Sequence, residues 1–264
     1  MSGNRFSSPV STTILNIVLT AGRFTLFSLD FLRNLVMPPW NLNRFLDQGA
    51  RIGVMSLPVA TLTAMFTGMV MVLQIGVELA RFGAVWFSAG ITVQALTREL
   101  IPVFTSIVVG ARVAAAMTAE LGTMRVTEQL DAMTALSVRP MHYLVVPRVV
   151  MTTLMLPVVA IYSGFLGFLG GLLVGVQVLH IPAETFITTT MNWLDVTDVY
   201  TGLAKTVVFG LFIGLGGCYY GFHTDGGAEG VGHATTSSVV FVILMILTIN
   251  FLLTTWFIFL FKTF

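Results

Sequence analysis

Charged residues punctuate this chain between long apolar runs. Twenty-six residues without a formal charge, Ile52 to Val77, separate Arg51 from Glu78, enough for one helix across a bilayer. Between Arg81 and Arg98 there are only 16, Phe82 to Thr97. That is short for a span, so a re-entrant or interfacial piece is expected there. A second span is expected from near Glu99 to about Ala119, interrupted by Arg112. A polar segment from Glu120 to Arg148 follows, and then 31 uncharged residues from Val149 to Leu179. As helix these would extend about 46 Å, so the span must tilt, project past the hydrocarbon or bend near Pro157. A fourth span, about Val199 to Phe222, contains Lys205, and a glycine-rich loop from His223 to Gly232 leads into a last span, about Ala234 to Phe261. The pattern predicts five transmembrane helices.

The N-terminal region reads differently. Ile14, Ile17, Val18, Ala21, Phe24, Leu29, Leu32 and Val36 recur at helical spacing, with Arg23, Asp30 and Arg33 among them. That pattern suits an amphipathic helix lying in the membrane interface. Pro38-Pro39-Trp40 is expected to end it, because two prolines break a helix and tryptophan favours the headgroup level. A signal peptide with its apolar core at Ile14 to Ala21 is the rival reading. A thin basic leader and the lack of a small-x-small cleavage site argue against it. Two regions result: an interfacial helix within residues 1–40 and a transmembrane domain over 41–264.

Composition agrees with an all-α integral membrane protein. Of 264 residues, 56% are hydrophobic and 9% charged, against roughly 25% charged in a soluble domain. The mean hydropathy is +0.91. A net charge of +1 supplies no basic field for nucleic acid. The single cysteine, Cys218, cannot form an internal disulfide. With the N-terminus inside, five spans put eight Lys and Arg in cytoplasmic segments and three outside. This bias makes 120–148 cytoplasmic and 180–198 external.

The most informative stretch is Glu120-Leu-Gly-Thr-Met-Arg125-Val-Thr-Glu128-Gln-Leu-Asp131-Ala. Thr127, Glu128 and Asp131 can start a helix, with acids where its dipole is positive. Leu130, Met133, Ala135 and Leu136 then form an apolar side. A short amphipathic helix of this kind can dock on a partner; the alternative is an ordinary solvated turn between spans.

This stretch resembles the signature of the MlaE/YrbE family, the permease subunits of Mla- and Mce-type lipid ABC transporters. Gly226-Gly-Ala-Glu-Gly-Val-Gly-His-Ala-Thr-Thr236 is similar to that family's loop before its last helix. Arg98-Glu-Leu-x-Pro102 and Gly110-Ala-Arg112 follow the same order, and the resemblance covers roughly 41–261. It implies an MlaE-like homodimer, or a pairing with a paralogous permease, in a bacterial inner membrane. Arg125, Glu128 and Asp131 would lie in a cytoplasmic coupling segment, 120–148, seated on a separate ABC ATPase. An MCE-domain periplasmic protein would exchange lipid with the permease. No cofactor is expected in this chain, since ATP and Mg would be bound by the partner ATPase.

Ionisable groups within spans are costly and usually pair or line a cavity. Gln74 and Glu78 share a face at the outer end of the first span, and Arg98 and Glu99 begin the second. They could hold a lipid headgroup, or Arg98 could simply pair with Glu78 or Glu99 and anchor two helix ends. The resemblance favours the lipid site. For Arg112 and Lys205, structural pairing with Glu120 or Asp198 is expected. Small residues Ser163, Gly167, Gly171 and Gly175, and likewise Gly210 and Gly214, mark close helix packing within the protomer, with a dimer seam as the alternative.

No catalytic or metal site is expected. No Gly-x-Ser occurs, Pro182 spoils His180-Ile-Pro-Ala-Glu184 as a helical metal face, and Gly202-Leu-Ala-Lys-Thr206 lacks the glycines of a phosphate loop. Two rival classes stay open: a gradient-driven transporter or channel using Arg112, Glu120 and Lys205 as an ion route, and a structural membrane scaffold.

Overall fold

The computed structural model describes residues 9–37 and 42–261. The expected helix breaker Pro38-Pro39-Trp40 lies outside the described residues, as do the side chains of Ile14 and Ile17. Every described element is helical: α1 (Pro9–Leu35), α2 (Leu42–Gly53), α3 (Leu57–Ala80), α4 (Phe87–Ala95), α5 (Ile101–Val126), α6 (Gln129–Ala135), α7 (Val146–Gln177), α8 (Ala183–Trp193), α9 (Val196–Phe222) and α10 (Gly227–Phe261). Five runs are long and apolar enough to cross a membrane: Leu42–Ala80, Phe87–Val126, Met141–Gln177, Val196–Phe222 and Gly227–Leu260.

Local sequence explains several boundaries. Pro58, Pro102 and Pro147 sit in the first turns of α3, α5 and α7, where a missing N–H leaves no hydrogen bond unmade. Asp195 caps α9, and the Asp198 carboxylate reaches back to the Asp195 backbone to complete a capping box. Pro157 lies inside α7, which continues through it.

Close packing rests on small residues. On α3, Ala60, Ala64, Gly68, Val72 and Gly76 are buried, while Val59, Leu62, Phe66, Val70, Leu73 and Val77 face outward. The two rows alternate at helical spacing, so one face meets protein and the other is left for hydrocarbon. At Gly68 the α3 backbone lies against the Gly167 carbonyl of α7, leaving no room for a Cβ. Gly171 packs on Val72, and Gly210 and Gly214 bring α9 onto the α7 backbone at Thr152, Thr153 and Val149. These glycine stripes therefore pack within the protomer.

Two expectations are corrected. Residues 82–97 are no separate re-entrant piece: α4 passes through a single π-helical turn, Leu96–Leu100, into α5, so the second span begins at Phe87. Charge counting failed because Arg98 and Glu99 are neutralised by α9 and need not mark a span's end. The last span begins at Gly227 rather than Ala234. Gly226 and Gly227, at φ 89° and 70°, make the turn in a region open to glycine, and the helix then runs through Gly230 and Gly232. On α1, Val18, Leu29 and Leu32 are exposed, as is Val36 just past its end. The face packed on the bundle is Phe24, Phe27, Phe31 and Leu35, where Phe24 and Phe27 meet Tyr219 edge-on. Both faces of α1 carry apolar residues, and the sequence pattern picked out chiefly the free one.

Candidate functional site

Because successive spans alternate in direction, the start of α5, the start of α9 and the end of α10 meet at one end of the bundle. Four charges converge there. Arg98 pairs with Asp198 through its Nε. Lys205 Nζ donates to Glu99 Oε1 at 2.6 Å, to the Arg98 carbonyl at 3.0 Å and to Thr254 Oγ1 at 2.8 Å. Glu99 also accepts from Thr254 at 3.0 Å and from the Asn250 amide at 3.1 Å. Two cations and two anions cancel, and all three ammonium donors are used, so the cluster meets the demand that charge within a membrane be paired.

The π-helical turn positions this quartet, since it carries Arg98 and Glu99 on adjacent residues while α9 supplies Asp198 and Lys205 seven positions apart, on one face. Asp198 has a double duty, because its other oxygen caps α9. A cavity of about 240 Å³ opens beside the cluster, lined by Arg98, Glu99, Thr197, Thr201, Lys205 and Thr254 among others. Exposure is uneven: the Lys205 side chain is 2% exposed and that of Glu99 38%.

The pairings differ from those expected. Arg98 takes Asp198 rather than Glu78 or Glu99. Lys205 takes Glu99 rather than Glu120 or Asp198. Glu120 bonds Arg148 at 2.9 Å. Arg112 donates to Ser56 Oγ at 2.8 Å and has no carboxylate partner among the described residues. Gln74 and Glu78 are exposed and stay outside the quartet; Glu78 pairs with Arg81 at 3.2 Å. Asn250 and Thr254 escaped the sequence reading altogether. Asn250 is the one amide in α10, and a lone amide in an apolar span is a signal that could have been used.

At the opposite end of α5 lies an exposed elbow. Here Glu128 does not cap α6 from an extended conformation. It is the turn residue itself, in the left-handed region at φ 58°, and Thr127 bonds back to the Thr123 carbonyl. Arg125 bridges to Asp131 at 2.8 Å, clamping the elbow. Of the expected apolar side, Leu130 is buried against the bundle, but Leu136 is 77% exposed. Arg148 braces the same region, with Nη1 on the Leu144 carbonyl and Nη2 on Glu120.

Comparison with known proteins agrees with this architecture. The family described as Permease MlaE matches residues 45–256. A probable ABC transporter permease protein of Rickettsia bellii is 39% identical over 248 residues, covering 94% of this chain and 96% of its own. A probable ABC transporter permease protein of Synechocystis is 43% identical over 213 residues, 81% of each chain. Another from the alga Pyropia yezoensis is 36% identical over the same length and coverage.

Proposed function

Since the chain belongs to the MlaE permease family and is an ABC transporter permease, we propose that its cargo is a phospholipid-like molecule. The permease exchanges this lipid between the bacterial inner membrane and an MCE-domain carrier, driven by ATP hydrolysed on a partner ATPase. With the N-terminus cytoplasmic, the elbow at Arg125, Glu128 and Asp131 faces that ATPase. The quartet then lies toward the periplasmic side, where two protomers enclose the lipid path.

The observation that carries this reading is the placement of elbow and quartet at opposite ends of one helix. α5 runs 26 residues without a break, about 39 Å. Tilting the elbow as the ATPase closes moves the π-helical turn, and with it Arg98 and Glu99. These two side chains are held by residues of α9 and α10, so the movement must rearrange the pairing. Arg98, about a third exposed, is the group best placed to exchange Asp198 for a lipid phosphate. Gln74 and Glu78 contribute at most a polar rim on α3.

The test is a mild-detergent pull-down of tagged protein from its native membrane, with mass spectrometry of proteins and lipids. An ATPase and an MCE protein are expected in the eluate, and Glu128→Arg should lose the ATPase while still inserting. Normal ATPase capture by that variant would remove the elbow from the coupling role. A bare homomer would favour a gradient-driven transporter.

A further inference from the structure

Behind the π-helical turn, on the side away from the quartet, lies a second cavity. Its volume is about 320 Å³ and its walls are almost wholly apolar, built from α4, α5, α7, α8 and α9. Val93 and Pro102 line its depth, both buried, and Ile161, Phe165 and Met191 form an exposed rim. Phe165 and Ile161 stand on the outward face of α7 with Leu154, Val158 and Leu169, a face that meets hydrocarbon in a bilayer. The cavity thus opens sideways into the membrane. An apolar hollow with a hydrocarbon-facing mouth is filled by hydrocarbon, because water gains no partners there.

Two features identify the occupant. The cavity can hold a single chain, and the bilayer that touches its mouth supplies acyl chains. Thr190 of α8 contributes to the wall and is 2% exposed. Trp193 lies one helical turn beyond Thr190 and packs edge-on to Phe87, with Trp86 beside it. Tryptophans at a helix-bundle end mark the membrane interface, the depth at which a glycerolipid carries its ester groups.

We propose that this cavity is a binding site for one acyl chain of a bilayer phospholipid. The site is separate from the quartet's cavity, since Thr97 and Pro102 face one and Arg98 and Glu99 the other. Its occupancy braces the π-helical turn from behind: Gly202 of α9 presses on the Thr97 carbonyl, and a chain packed on Thr97, Ile101 and Pro102 supports the same strand of backbone. This inference does not rest on the transport reading, because a lipid can occupy the site without an ATPase.

The fold supplies a clean way to close the cavity. A Cβ built at Gly164 meets nothing nearer than Ile101 Cγ2 at 3.9 Å, so Gly164→Leu places its side chain in the cavity without displacing backbone. The full chain is reconstituted in nanodiscs of phosphatidylethanolamine and phosphatidylglycerol, with a phosphatidylethanolamine bearing a mid-chain diazirine. Photolysis followed by peptide mass spectrometry should label the deep residues Val93 and Pro102 in the wild type. Gly164→Leu should cut that deep label about tenfold while surface label at Phe165 persists. Retention of the buried Cys218 thiol from maleimide reports that the variant is folded. Deep label that is absent from the wild type, or unchanged in folded Gly164→Leu, would overturn the site. Loss of ATPase capture in the pull-down leaves these results untouched, so the two proposals fail separately.

Discussion

Glu99→Gln should destabilise the protein more than Lys205→Met, although the two substitutions remove opposite halves of one ion pair. The reason is the asymmetry of burial. Lys205 is 2% exposed and Glu99 38%. With glutamine at position 99, the ammonium keeps the Arg98 carbonyl and Thr254 but has lost its carboxylate and cannot reach solvent. Removing one partner of a buried pair costs roughly 3–5 kcal/mol, and Lys205 is buried deeply enough to meet that figure. With methionine at position 205, Glu99 keeps the donors Asn250 and Thr254 and partial access to the adjoining cavity, so about 1–2 kcal/mol is expected. For a chain of this size each kcal/mol shifts the melting temperature by roughly 2–4 °C. Drops of about 10 °C and about 4 °C follow. The chain provides its own probe, because its single cysteine, Cys218, is fully buried. A thiol-reactive dye fluoresces only as the bundle opens. The double variant should fall between the singles or recover toward the wild type, since no unpaired charge remains. Equal shifts, or the greater loss in Lys205→Met, would refute the argument from burial.

Other outcomes follow from the same geometry. Arg125→Ala and Asp131→Ala should each change the melting temperature by no more than a few degrees, because their pair is exposed and contributes about 1 kcal/mol or less; ATPase capture in the pull-down should nevertheless fall. Glu120→Gln should destabilise more than an exposed acid would, by about 2–4 kcal/mol, since it strands Arg148, which is 3% exposed; the dye assay reads this directly. Gly68→Val should abolish folded protein in detergent size-exclusion, because its side chain would collide with the Gly167 carbonyl. At Glu128, glycine should be tolerated with a stability gain of up to about 1 kcal/mol, as it relieves φ 58°.

What the sequence made legible was what depends on the apolar count along the chain. Five spans emerged because hydrocarbon imposes a length, and each uncharged run long enough to cross became a helix. Errors arose where a charge was taken as a boundary. Arg98 and Glu99 sit within a continuous helical run, their cost removed by Asp198 and Lys205 from a segment 100 or more residues away. Partner choice depends on which helix faces which, and that is fixed by packing of glycines such as Gly202 on Thr97 and Gly210 on Thr152. Gly210 marked a close approach in the sequence, but which helix it meets leaves no local trace. The elbow was similarly half legible. Its acids and arginine indicated a charged turn, but a left-handed Glu128 is selected by the tertiary path of the chain, against its own preference.

The distribution of satisfied and unsatisfied groups separates two tasks. In the quartet every ammonium donor is matched and net charge is zero, so this part can stay within the membrane without water. That saturation also means that it responds only when backbone moves, because each side chain is held from another helix. The elbow is the reverse: Leu136 stands in the open, and Arg125 and Asp131 hold each other only at the surface. A surface of that kind gains from being covered, through apolar burial and through charges able to take new partners. The unbroken α5 joins the two ends, an exposed elbow and a paired quartet. The quartet cannot shift without breaking the Lys205–Glu99 or Arg98–Asp198 pair, and leaving Lys205 or Asp198 buried and unpaired costs several kcal/mol. Under the proposed coupling, binding at the elbow has to supply that energy.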